Sequence, residues 1–378
     1  MYIPFYRRLP IRLSRLLAVV LFLLSVHSGS AQKCYVQLVV AYTAEAAAQA
    51  GSDSLIVQQI RSAVTDMNQA YVNSGVNHWI ELVRTIRTSY AESGCFQQDL
   101  TAFWLGDGPA MSYCHWLRQQ YHADLAALLI TNTQFCGLPV SDSSVATAAT
   151  AYCAVQYQCM LHNYSLSHML GHLYGCGHAQ FELDPPAQGV SAPYAHGYNW
   201  NYNEYAHFNT IMGVTDDVDC YGQGQNNCTL INYFSNPAIS YQGVATGSQY
   251  ANNALVLNTQ APTVANFLTL PVSYTLNDTV TTSDFATAIA LDTLRTGSSF
   301  VGNDSANIYF KAGRQIVLSP GFRVDSTVHF RTILDTTLFN CGSPVSRAMK
   351  LPKPSVPHKP PVHKTAAVRH PVPRIKKP

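Results

Sequence analysis

Cysteine pairs of the Cys-x-x-Cys type are absent from the sequence, although the chain contains ten cysteines. A zinc site built from closely spaced cysteines is therefore disfavoured. The chain also has no long apolar run near its start: the run from Leu16 to Val26 has eleven residues, which is too few to cross a bilayer. Because four arginines precede this run and small residues up to Ala31 follow it, residues 1–31 predict a signal peptide whose removal leaves no transmembrane span.

Charged residues are scarce as well, at 12% of the chain against 47% hydrophobic residues, which is a globular composition. The few charges are unevenly distributed. Residues 32–346 carry 10 basic and 21 acidic residues, whereas residues 347–378 carry nine basic residues and no acid. The body of the protein is therefore predicted to be acidic and its C-terminal end basic.

The C-terminal segment, residues 343–378, alternates prolines with cationic residues and has almost nothing to bury. This composition predicts a disordered basic tail. Its charge suits an acidic envelope polysaccharide or another anionic surface, and a solvated tail without a partner is the alternative. Nucleic acid is disfavoured as a partner because no aromatic residue lies among the cations.

The ten cysteines favour an oxidising compartment and several disulfides, in agreement with export. Pairing cannot be deduced from sequence alone. The spacings of Cys153 with Cys159 and of Cys220 with Cys228 would allow short disulfide loops.

Strand and helix patterns alternate in the first half of the chain. Residues 35–42 and 78–84 have strand patterns, and 123–131 is a short apolar run typical of a central strand. Between the first two strands, apolar residues at helical spacing follow the N-cap candidates Ser52 and Asp53, and this helix should end near residues 73–75. The alternation predicts an α/β layer fold.

Three histidines, His168, His172 and His178, form the most informative motif. Residues four apart share a face of a helix, so the first two can direct their imidazoles at one ion. Gly175 allows a sharp turn that would bring the third histidine to the same ion. Three nitrogen ligands with an open fourth position are typical of a catalytic zinc site. The alternative is a helix that keeps its histidines without a metal.

This motif resembles the extended zinc signature of the metzincins, and Asn209 to Gly213 resembles the Met-turn of that class, with Met212 as its methionine. Over residues 35–268 the chain is similar to secreted bacterial reprolysin-like, or adamalysin-type, metallopeptidases. The resemblance implies a metzincin-like α/β domain with a mixed sheet, long helices and a zinc cleft. It also implies that His168, His172 and His178 hold Zn²⁺.

One residue departs from the family pattern. The position after the first histidine holds a general-base glutamate in these peptidases, and here it is Met169. A thioether cannot accept a proton, so the general-base position is not intact and the expected function is a peptide- or protein-binding cleft with impaired or lost peptidase activity. Glu182 and Asp184 are the nearest downstream acids, and both come after the third histidine. The alternatives are an active zinc metalloendopeptidase that uses another base, and a structural or adhesive cell-envelope protein.

The chain after Leu270 has short β-type alternation broken by Gly, Asn and Asp. Residues 310–330 resemble the small β-repeat modules of secreted Bacteroidetes-type proteins, and an ordinary small β-sandwich is the alternative. The predicted organisation is a signal peptide (1–31), a reprolysin-like domain (32–268), an all-β module (269–342) and a basic tail (343–378). Three further histidines, His162, His196 and His207, are more readily explained as surface or packing residues. The alternatives are a position next to the site for His162 and a substrate-facing role for His196 and His207.

Overall fold

The structure is a computed structural model that describes residues 34–142, 144–179, 191–200, 207–213, 228–281 and 284–341. The predicted signal peptide and basic tail, together with Glu182, Asp184 and Cys220, lie outside these residues. All described residues belong to one compact unit. No helix in this part of the chain is both long and apolar enough to span a membrane.

The described chain contains helices and strands in a mixed arrangement, as the sequence predicts. The helices are α1 (Ala44–Ala50), α2 (Asp53–Asn73), α3 (Phe96–Leu105), α4 (Gly108–Gln120), α5 (Tyr157–His162), α6 (Ser165–Leu173) and α7 (Asn253–Val264). The first strands are β1 (Cys34–Tyr42), β2 (His78–Arg87), β3 (Leu125–Ile130), β4 (Gly137–Pro139), β5 (Tyr152–Gln156), β6 (Asn199–Trp200), β7 (Phe208–Asn209), β8 (Thr229–Leu230), β9 (Ser240–Tyr241) and β10 (Val244–Ala245).

The later strands are β11 (Ser273–Leu276), β12 (Thr279–Val280), β13 (Phe285–Ala290), β14 (Thr293–Thr296), β15 (Val301–Gly302), β16 (Asn307–Ala312), β17 (Gln315–Val317), β18 (Arg323–Val324) and β19 (His329–Leu334). They form three parallel ladders, β11–β14–β17, β12–β15–β18 and β13–β16–β19. Partners in the last two ladders lie 22 residues apart, for example Phe285, Asn307 and His329. Residues 273–334 therefore wind into three stacked coils, which we call the coil stack.

One side of the coil stack continues the main sheet. The eight-stranded order is β19-β16-β13-β2-β1-β3-β5-β4, with β13 antiparallel to β2 through Ala286 and Arg84. One apolar cluster spans both parts, from Val39 and Phe103 to Phe300 and Phe310. Residues 269–342 thus share a sheet and a core with residues 32–268, and a boundary at 268/269 remains a prediction.

Helix α2 shows how local sequence sets this fold. The Ser52 side chain accepts a hydrogen bond from the Leu55 amide, as an N-cap does, and the helix ends at Asn73 before Gly75, whose φ is +70°. Its buried face includes Ile56, Ile60 and Met67. That face packs in one cluster with the buried side chains of β1 and α6, and so connects the sheet with the histidine helix.

Two disulfides occur among the described residues, Cys34–Cys341 and Cys136–Cys159, and Cys228 is also disulfide-bonded. The Cys153–Cys159 loop that the spacing would allow does not form. Cys153 is a free, fully buried thiol on β5, and Cys159 on α5 is bonded to Cys136 instead. The bond that forms instead ties the start of β4 to that helix.

Candidate metal centre

Helix α6 carries the first two histidines of the motif and is buried along its whole length. It ends in a tight turn in which Gly175 has φ +86°. In this turn the Gly175 amide donates to His172 O at 2.7 Å and the Cys176 amide donates to Gly171 O at 3.0 Å. A Cβ at Gly175 would lie 2.7 Å from the Ser191 Cβ, so glycine is needed both for its φ and for space.

The turn brings His178 back to the helix, and the three Nε2 atoms meet. His168 Nε2 lies 3.0 Å from His172 Nε2 and 2.9 Å from His178 Nε2, and the remaining pair is 3.1 Å apart. These three side chains are the one group of His, Cys, Asp or Glu with metal-site geometry in the described part of the chain. The structure therefore brings together all three predicted ligands.

Backbone carbonyls orient two of the rings. His168 Nδ1 lies 2.8 Å from Ile211 O and His172 Nδ1 lies 3.0 Å from Cys176 O. A carbonyl only accepts, so each Nδ1 carries the proton and each Nε2 presents a lone pair to the centre. Carbonyl partners of this kind are typical of metal-bound histidines.

Burial also keeps the rings neutral. Burial, followed by the neighbouring His178, lowers the pKa of His172 to about 3, and burial with the other two histidines lowers the pKa of His168. Neutral imidazoles are the form that binds metal. The Nε2 atoms are only 2.9–3.1 Å apart, and their lone pairs repel one another unless a cation lies between them. Tetrahedral zinc, with bonds of about 2.0–2.1 Å, would set its ligand nitrogens roughly 3.3–3.4 Å apart, so the donor set fits zinc after a small expansion.

A tight turn supports the centre from below. Ile211–Gly213 forms a short 3-10 turn, and Met212 within it is fully buried. The Met212 sulfur lies 2.8 Å from the position that a Cβ would occupy at Gly171 of α6. The segment that resembles a Met-turn therefore packs against the histidine helix.

Curated relatives match more than half of the chain. The chain is 38% identical to a peptidyl-Asp metalloendopeptidase of Stenotrophomonas maltophilia over 234 residues, which are 61% of this chain and 52% of that protein. For the Xanthomonas campestris protein of the same name, the identity is 35% over 59% of this chain and 49% of the relative. The chain thus spans about half the length of these two relatives. A Pseudomonas fragi protein of that name is matched over 99% of its length at 32% identity. The chain belongs to the peptidyl-Asp metalloendopeptidase family.

Other comparisons add little to this assignment. No protein-family model matches the chain. Two solved structures, a chaperone–substrate complex and metalloproteinase-II from Bacteroides fragilis, each share 17% identity with it, at TM-scores of 0.45 and 0.30. The match with the chaperone–substrate complex covers 63% of this chain and 35% of that chain. The match with the metalloproteinase covers 44% of this chain and 49% of that chain. Scores at this level bear on neither fold nor function.

Within this metallopeptidase family member, Met169 follows His168 on α6 and is 6% exposed. Its side chain packs on Gly137 of β4, where a Cβ would lie 2.6 Å from the Met169 Cγ and 2.8 Å from its sulfur. β4 is the last strand of the large sheet. The thioether therefore lies between the histidine helix and the edge of the sheet.

The other histidines have different roles. His196 is buried, and its Nδ1 lies 3.0 Å from His178 O, so it holds the backbone of the third ligand. Sequence analysis did not foresee this contact, which depends on the pairing of residue 177 with residue 196. His162 is exposed at the end of α5, and His207 is half-buried before β7.

Proposed function

We propose that this protein is an exported zinc metallopeptidase homologue that binds peptides in its cleft and cleaves them poorly or not at all. The proposal rests on the site of Met169. A buried thioether follows the first histidine, where the resembled peptidases have their general-base glutamate, and no Asp or Glu joins the histidine cluster among the described residues.

In this proposal His168, His172 and His178 hold the metal. Zinc bound there would lower the pKa of a water molecule and polarise a substrate carbonyl. The chain's own residues keep the three Nε2 lone pairs directed inward through the Ile211 and Cys176 carbonyls. The terminal strand β4 offers a backbone edge next to the site, to which an extended peptide could add as a strand.

The absence of a general base determines how far the cleavage rate should be reduced. General-base catalysis contributes about 10²–10⁴-fold to a rate. The Met169 sulfur cannot take up a proton, so the proposed protein lacks this contribution while keeping the metal and the peptide-binding edge. Binding and turnover should therefore be separable in the same molecule.

The test is restoration of the carboxylate. We expect Met169→Glu to raise the cleavage rate by about 10²–10⁴-fold, while Met169→Gln, which is matched in shape but has no basic carboxylate, stays at the wild-type rate. The relatives' name suggests aspartate-containing peptides as the probe, compared with the same peptides carrying asparagine. His172→Ala serves as the metal-deficient control.

Wild-type protein that cleaves these peptides efficiently, is inhibited by a chelator and gains nothing from Met169→Glu would overturn the proposal. That result would favour an active endopeptidase with another base. Glu182 and Asp184 would be the first residues to replace, although both lie outside the described residues.

Export and the tail belong to the same proposal. The two disulfides are consistent with an oxidising compartment. The basic segment 343–378 is proposed to bind an anionic envelope surface. Its deletion should release the protein from that surface; unchanged attachment would refute this role. None of the described residues favours a purely structural or adhesive protein.

A further inference from the structure

The coil stack ends in three unpaired strand edges. Within the described chain, β17, β18 and β19 are each the last strand of their ladder. β17 and β18 have only three and two residues, whereas β19 has six. At the opposite edge of the large sheet, β4 has three residues and ends on Pro139. A three-residue strand that ends on proline has room for only a short peptide, whereas β19 has six residues and no proline and can form a longer ladder.

The same end of the stack exposes apolar side chains. Phe300 and Phe310 of the second coil are fully buried, whereas their third-coil neighbours Phe322 and Phe330 are only partly buried. On β19 itself, Ile333 is 39% exposed and Leu334 is 63% exposed. Stacked-repeat proteins need a cap on the last repeat because that repeat cannot bury its apolar face alone. The third coil therefore has the properties of an interface.

We propose that β19 pairs antiparallel with β19 of a second copy of this chain, which joins two eight-stranded sheets into one. The alternation of β19 supports this pairing. The His329 amide donates to Ala306 O and the Asp335 amide donates to Ala312 O. The backbone amides and carbonyls of the odd-numbered residues of β19 therefore point to β16. The amides and carbonyls of the even-numbered residues, such as Thr332, then point to the open edge.

Charge selects the register of this pairing and favours a second copy as the occupant. With the two-fold axis at Ile333, Arg331 of each chain lies opposite Asp335 of the other, which gives two opposite-charge pairs. An axis at Arg331 would place two arginines opposite each other. An axis at Thr332 would place Arg331 opposite Ile333, so the arginine would have no opposite charge. Arg331 forms no ion pair with another described residue, so it is available for this contact.

The chain's own C-terminal segment suits the edge poorly. Residues 344–378 contain nine prolines. Proline has no amide hydrogen to donate to a strand, so this segment could form only an interrupted ladder. A second β19 supplies the full set of donors and acceptors.

Sedimentation of the full-length exported protein over a range of concentrations tests the proposal. We expect a monomer–dimer equilibrium for the wild type. Thr332→Pro should remove an outward amide without breaking the ladder to β16 and shift the protein to monomer, whereas Thr332→Val keeps the amide and should leave the dimer intact. Circular dichroism and thermal unfolding check that both variants are folded.

A charge exchange tests the register. Arg331→Asp and Asp335→Arg should each weaken self-association by roughly tenfold or more, because each homodimer then opposes like charges twice. An equal mixture of the two variants should regain dimer, since both pairs in the mixed dimer are opposite in charge. A wild-type monomer at all concentrations, or a dimer unaffected by Thr332→Pro, would overturn the proposal; a dimer whose mixture shows no recovery would overturn the register.

Discussion

Replacing Arg84 by methionine should test what holds the coil stack to the main sheet. Arg84 on β2 is 2% exposed, and its guanidinium bonds Asp278 Oδ2 at 3.0 Å and Asp284 Oδ2 at 2.9 Å. The hydroxyls of Tyr121 and Tyr42 donate to the same two carboxylates, at 2.7 and 3.1 Å. Without the guanidinium, two buried carboxylates lose their cation, and removing one partner of a buried ion pair costs about 3–5 kcal/mol.

The pH dependence distinguishes lost charge from lost packing. In the wild type, burial raises the pKa of Asp284 although Arg84 opposes this rise. Removing Arg84 should raise the pKa of Asp284 further. When the pKa of a carboxyl is raised by folding, the folded protein keeps a proton on that carboxyl at pH values above about 4, where the unfolded chain has released it. The stability of the folded state is therefore highest below about pH 4 and falls as the pH rises through the folded pKa. The deficit of Arg84→Met should therefore be small near pH 4 and reach its full size by about pH 8.

Urea unfolding of the two proteins at both pH values, with disulfides intact, measures this deficit. Addition of Asp284→Asn to Arg84→Met should recover part of the stability at pH 8, because only one uncompensated carboxylate is then left. A deficit of equal size at pH 4 and pH 8 would refute the electrostatic explanation and indicate loss of packing. An unchanged free energy of unfolding would show that the cluster contributes no net stability.

Two further predictions concern the metal centre. Chelation should lower the melting temperature of the wild type, because a ligand present at 1,000 times its Kd that binds only the folded state stabilises that state by about 4 kcal/mol. His172→Ala should show no such shift. A wild-type melting temperature that does not change on chelation would contradict zinc binding. Gly197→Ala should destabilise the protein by several kcal/mol and reduce its zinc content, because its Cβ would lie 2.0 Å from Met212 O. Gly94→Ala is the control, because residue 94 has φ +80° and no atom lies within 4 Å of the new Cβ. This variant should lose only about 1 kcal/mol of folding stability. Equal losses of stability in the two variants would exclude the clash with Met212 as the cause.

Sequence alone predicted the parts of the fold that local patterns determine. The N-cap at Ser52, the end of α2 near Gly75 and a buried strand within residues 123–131 all follow from short-range chemistry. The structure has the cap and the helix end there, and the strand at Leu125–Ile130. The third-ligand turn was predictable for the same reason, because a glycine with positive φ explains how His178 returns to the helix. These features need no information about distant residues.

Long-range pairing was not predictable. The Cys34–Cys341 bond joins residues 307 apart, and the contact of β13 with β2 joins Ala286 to Arg84. No local pattern encodes either contact. The burial of Arg84 could have been suspected only from a cation in a largely apolar strand. Its partners Asp278 and Asp284 directly precede β12 and β13, and no local pattern connects them with residue 84.

The role of Met169 depends both on its place in the local sequence motif and on its long-range packing. From sequence, the residue is a missing base; from the structure, it is also a packing partner of Gly137, with its sulfur 2.8 Å from a Cβ position there. A carboxylate introduced at residue 169 would begin in the same largely buried place, and burial raises the pKa of a carboxyl. A general base acts only when deprotonated, so activity restored by Met169→Glu should rise with pH through that raised pKa rather than through the ordinary value near 4.3. A flat profile above about pH 5 would mean that the new side chain leaves the Gly137 contact for solvent.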